Sequence, residues 1–65
     1  MNSDVFKGKW NQVKGAARSE WGKLTDDDME VIAGERDKLV GRVQERYGKD
    51  KAAAEREVDA WLAKH

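Results

Sequence analysis

The stretch WGKLTDDDM, residues 21–29, decides the fold. Three consecutive aspartates, Asp26, Asp27 and Asp28, suit a cation site, an acid/base cluster or the start of a helix. Thr25 stands where a helix N-cap belongs, and its hydroxyl can accept a hydrogen bond from the Asp28 amide. Asp28 is then placed to reach back to the Thr25 amide, which completes a capping box, and Leu24 and Met29 flank the cap as a hydrophobic staple. Carboxylates in a first helical turn also complement the positive end of the helix dipole, each by roughly 0.3–1 kcal/mol. Successive helical side chains diverge by about 100°, so the three carboxylates cannot jointly surround one ion. A calcium loop would alternate its ligands around a glycine, a pattern missing here. The aspartates are a helix start.

Outward from that start, the chain reads as helices throughout. Upstream, Phe6, Trp10, Val13, Ala17, Trp21 and Leu24 recur every three or four residues, the apolar face of one helix. Ser3 is a candidate cap for it, Gly8 weakens its first turn, and Gly22 is expected as a left-handed C-cap. Downstream, a short second helix is expected over residues 26–33, with Met29 and Ile32 inward and Gly34 breaking it. A third spans residues 35–47 with Leu39, Val43 and Tyr47 on one face and Gly48 closing it. Asp50 caps a fourth helix through residue 63, whose face carries Ala54, Val58, Trp61 and Leu62. A shift of 26 residues aligns Val13 with Leu39, Gly15 with Gly41, Trp21 with Tyr47, Gly22 with Gly48 and Lys23 with Lys49. The expected fold is therefore all-α, four short helices forming two crossed helical hairpins in a small bundle. Glycine inside a helix costs about 1 kcal/mol against alanine, so Gly15 and Gly41 are expected to admit a close neighbour. A shallow ligand groove is the alternative.

With 65 residues the chain is a single domain, residues 1–65, its first and last few residues expected to fray. Such a domain buries only about 60% of its unfolded surface, which leaves little room for a ligand cavity. Charged residues make up 40% of the chain and mean hydropathy is −0.97, yet Trp10, Trp21 and Trp61 supply core anchors that disordered chains lack. Cysteine is absent, which excludes thiolate metal sites, thiol nucleophiles and disulfides. Residues 1–10 lack the apolar run of a signal peptide and no stretch approaches a membrane span, so a cytoplasmic location is expected. The one histidine, His65, is terminal, and Ser3 and Ser19 sit near no glycine-rich elbow. Residues 22–25, GKLT, lack the upstream glycine of a phosphate loop. No catalytic, cofactor-binding or metal-binding residue can be named, and the protein is expected not to be an enzyme.

Charge is distributed in blocks. Residues 1–24 carry net +3, residues 25–35 net −5, residues 36–51 net +3 and residues 52–65 net −1, which sum to zero. Lys7, Lys14 and Arg18 share one helical face, as do Lys38, Arg42 and Arg46. Arg42 and Arg46 repel at a spacing of four, a feature that hints at a polyanion-facing patch of nucleic acid or another acidic surface. Against it stand the zero net charge and local ion pairs such as Glu45 with Lys49. A monomer is expected.

Trp10, Gly15, WGKLTDDDM from Trp21, Gly34, RDKLVG from Arg36, QERYG from Gln44, and Ala54, Val58 and Trp61 together resemble the CsbD-like family of small bacterial stress-response proteins. The resemblance runs from about Trp10 to Trp61. It implies a bundle of two crossed helical hairpins and an association with the general stress response. It supplies no catalytic or cofactor residues, and its motif positions fall on caps, helix stops and core.

Overall fold

Thr25 and Asp28 close the expected capping box: the Thr25 hydroxyl accepts the Asp28 amide at 3.1 Å, and the Asp28 carboxylate accepts the Thr25 amide at 3.0 Å. The helix so started is the second of four. The computed structural model describes residues 3–65, with side chains from residue 5 onward. It contains α1 (Ser3–Glu20), α2 (Asp26–Ile32), α3 (Arg36–Tyr47) and α4 (Lys51–Leu62). The expected Ser3 cap falls outside the described side chains. Asp50 caps α4, its carboxylate accepting the Ala53 amide at 2.7 Å.

The helices form two hairpins, α1 with α2 and α3 with α4, that share one core, as the all-α reading requires. Phe6, Trp10 and Ala17 enter it from α1, Trp21 and Leu24 from the first link, and Met29 and Ile32 from α2. Leu39, Val40 and Val43 come from α3, and Ala54, Val58, Trp61 and Leu62 from α4. Aromatic rings carry the crossing between hairpins. Phe6 and Trp61 meet edge-on at 6.3 Å, Trp21 and Trp61 at 5.2 Å, and Phe6 and Trp10 at 5.5 Å. Edge-to-face pairs add about 0.5–1.5 kcal/mol beyond the area they bury. Trp61 thus ties the last helix to both ends of the first. The radius of gyration, 10.5 Å, is close to the roughly 11 Å expected of a compact chain this long.

Helix ends differ from expectation at two places. Gly48 takes the left-handed conformation, φ 63°, and its amide returns to the Gln44 carbonyl. Gly22 does not take positive φ; α1 stops at Glu20, and a turn closed by the Leu24 amide on the Trp21 carbonyl at 3.0 Å delivers Leu24 to the core. After α2 the left-handed cap is Ala33, φ 44°, followed by Gly34 at φ 83°.

Gly34 is also where a helix comes closest. A Cβ there would lie 2.7 Å from the Lys7 Cα and 3.0 Å from the Trp10 Cβ, so the backbone of α1 rests directly on this glycine. The close packing expected at Gly15 and Gly41 is not found, because a Cβ at either would meet nothing within 4 Å. Both face outward on exposed helix surface. Alanine at Gly15 or Gly41 should therefore raise stability by about 1 kcal/mol, moving the thermal midpoint up by roughly 4–8 °C. Alanine at Gly34 should lower the midpoint. Calorimetry of the three variants checks this, and a fall at Gly15 or Gly41 would mean that those positions are occupied.

Candidate functional site

Of the six basic residues singled out by sequence, Arg18, Lys38, Arg42 and Arg46 have carboxylate partners. Lys38, Arg42 and Arg46 are spaced by four along α3, and each reaches a carboxylate. Arg46 donates to both oxygens of Asp28, from Nε at 2.8 Å and from Nη2 at 3.0 Å. Arg42 approaches the same carboxylate at 3.6 Å and donates to Glu45 at 3.3 Å. Lys38 pairs with Glu35 at 2.7 Å. The repulsion between Arg42 and Arg46 is thus answered by a carboxylate from another helix, one that is only 2% exposed.

Asp28 is the electrostatic centre of the molecule. Its two oxygens receive the Arg46 guanidinium and the Thr25 amide. The Arg46 hydrogen bonds, with burial opposing and the Thr25 amide assisting, hold its carboxyl down to about 2. Asp28 in turn raises Arg46. Asp26 takes a different role, pairing with Arg18 across the α1–α2 groove. The adjacent aspartates therefore do three jobs: one caps and binds α3, one ties α1, and Asp27 faces solvent.

Two further clusters carried no adequate signal in the sequence. Arg36 donates to Asp59 at 2.7 and 2.9 Å and to Glu55 at 3.4 Å, binding the start of α3 to α4. Those bonds lower Asp59 and keep Arg36 more firmly protonated. The spacing of Glu55 and Asp59 by one helical turn was the available hint. Glu57 accepts the Trp21 indole at 2.6 Å and pairs with Lys49, which hold its carboxyl low, Lys49 foremost. Lys49 therefore pairs with Glu57 and Glu45 with Arg42, in place of the expected Glu45–Lys49 contact. The bundle brings Glu57 to Lys49 from a helix that local spacing does not consider. Lys23 and Lys49 flank the Tyr47 ring at 5.1 and 6.0 Å, and the Tyr47 hydroxyl accepts the Lys23 amide at 3.1 Å. The segments Trp21-Gly22-Lys23 and Tyr47-Gly48-Lys49, aligned by the 26-residue shift, meet there.

Lys7 and Lys14 on α1 are exposed and make no ion pair among the described residues. Lys14 borders a shallow groove with Gly15, Arg18, Asp26, Met29 and Glu30. Among the described residues no group of three or more potential ligands could hold a metal ion, and no helix is long and apolar enough to cross a membrane. Every carboxylate with a resolved shift, Asp28, Glu35, Glu57 and Asp59, is moved downward. None is poised as a general acid near neutral pH.

The sequence matches the CsbD-like family over residues 4–56, and the chain belongs to that family. It is 60% identical, over all of its length and 94% of the relative's, to UPF0337 protein ECA0631 of Pectobacterium atrosepticum. Over 94% of its length and 88% of the relative's it is 57% identical to UPF0337 protein YjbJ of Escherichia coli strain K12. The corresponding identity to UPF0337 protein XAC4007 of Xanthomonas axonopodis pv. citri is 52%, over the same shares.

The depressed carboxyl of Asp28 sets the acid limit of the fold. Its folded value lies below the unfolded one, so its contribution is complete above about pH 4 and is lost as pH falls toward 2. Glu35, Glu57 and Asp59 shift in the same direction. Arg46→Ala leaves the buried Asp28 carboxylate with only the Thr25 amide and Arg42 at 3.6 Å, and should lower stability. Arg42→Ala should cost much less. Acid titrations followed by tryptophan fluorescence should show the Arg46→Ala transition at higher pH than wild type; equal behaviour of the two variants would refute Asp28 as the anchor.

Proposed function

We propose that this protein is a non-enzymatic component of the bacterial stress response that acts through its surface, as a protective or interaction protein. The observation that carries this is the fate of its polar inventory. The carboxylates that would be candidates for acid/base work are held ionised by paired cations and tie helices together. Membership of the CsbD-like family supports the stress association. What is left to interact is a dense, mixed-sign, highly hydrated exterior.

A second function, polyanion binding through Lys7, Lys14, Arg18, Lys38, Arg42 and Arg46, is favoured by one observation. Among the described residues Lys7 and Lys14 have no ion pair, whereas the other four have carboxylate partners. Any such binding would centre on α1.

If the protein is a protectant, it should slow heat aggregation of unrelated enzymes at near-stoichiometric ratios without added nucleotide. Light scattering of a client enzyme against time measures this. A time course no slower than with an inert protein of similar size would end the protective function.

A further inference from the structure

Residues 5–19, VFKGKWNQVKGAARS, contain four basic residues and no acidic one, in a chain that is 40% charged. Of those four, Arg18 is committed to Asp26. Lys7, Lys9 and Lys14 are exposed and have no ion pair among the described residues. Lys9 donates to the His65 backbone oxygen at 3.4 Å, and Lys7 lies near enough to Glu35 to lower it, after Lys38. At about 100° per residue, Lys7 and Lys14 border one side of the outer face of α1, and Lys9 borders the other. Between them, within residues 5–19, lie the exposed, uncharged Val5, Gly8, Asn11, Gln12, Gly15 and Ser19, with Arg18 beside the Lys7 and Lys14 border. Gly8 and Gly15 lack a side chain for no internal reason, since a Cβ at either meets nothing within 4 Å.

We propose that the outer face of α1 is a docking surface for duplex DNA. This rests on the polyanion function given above and relocates it to Lys7, Lys9 and Lys14. A helix about 10–12 Å across fits a major groove about 12 Å wide. Lysines on both borders then reach the phosphates of the two walls, which fixes orientation. Asn11 and Gln12 face the floor, where amide side chains pair with adenine edges. The glycines let the helix backbone seat deeply. Other polyanions fit less well. Single strands need exposed aromatic platforms, and Phe6, Trp10 and Trp21 are buried. The major groove of duplex RNA is too narrow to enter, and a membrane-surface helix needs large apolar residues across its face. Asp26 and Glu30, beside Lys14 on the groove, confine contact to the outer face.

Fluorescence anisotropy of a short labelled DNA duplex across a salt series tests the proposal. Three neutralised phosphates predict a log–log salt slope of about −3. The triple variant Lys7→Gln, Lys9→Gln, Lys14→Gln should lose at least about tenfold in affinity. The control Lys51→Gln, Arg56→Gln removes two exposed cations on α4 that have no ion pair among the described residues, and should bind nearly as wild type. Gly15→Leu should weaken binding while circular dichroism shows an intact fold. Equal losses in the triple variant and the control would overturn the proposal, as would binding to single strands, duplex RNA or phosphatidylserine vesicles as tight as to duplex DNA. Those results would leave polyanion binding itself standing. No binding of any of these probes at low salt would remove both.

Discussion

One buried carboxylate organises this protein. Asp28 is withdrawn from water, which is costly for a charge unless its lone pairs are answered. They are answered from two directions, by the Thr25 amide of its own helix start and by the Arg46 guanidinium of α3. That geometry joins the start of α2 to the last turns of α3. A hydrophobic core alone would tolerate many, because apolar contact is not directional. The Arg36 and Glu57 clusters extend the same logic to α3–α4 and to the link between α1 and α2.

The apolar side supplies the driving force that the polar pairs direct. Small domains without disulfides have about 3–5 kcal/mol of net stability, so a few large residues matter disproportionately. Trp61 touches Phe6 and Trp21, from opposite ends of the α1 apolar face, and its own hairpin closes over them. The indole nitrogen of Trp21 still reaches Glu57, so a buried ring brings no orphaned donor with it. Gly34 completes the fit by letting the α1 backbone lie against the turn between hairpins.

Much of the charge that reads as surface in the sequence is thus structural. Cations on α3 are spent on Asp28, Glu35 and Glu45, and Lys49 on Glu57. The outer face of α1 differs in kind: nothing packs on Gly8 or Gly15, and its lysines have no ion pair among the described residues. A protein built this way keeps much of its charge in the fold, while the outer face of α1 carries lysines with no ion pair among the described residues.

The sequence by itself determined the four helices, the Thr25–Asp28 cap, the Gly48 and Asp50 signals and the apolar faces that make the core. Each depends on residues three or four apart, which the periodicity of a helix brings together whatever the rest of the chain does. It misled at Gly15 and Gly41, because a repeat marks equivalent positions without saying which way they face. It misled at Gly22 because a turn that carries Leu24 inward replaced the left-handed cap. The joining of Arg46 to Asp28, Arg36 to Asp59 and Lys49 to Glu57 was decided by tertiary structure alone. Those partners are 18, 23 and 8 residues apart, and only the packing of two hairpins determines which opposite charges are close enough to bond.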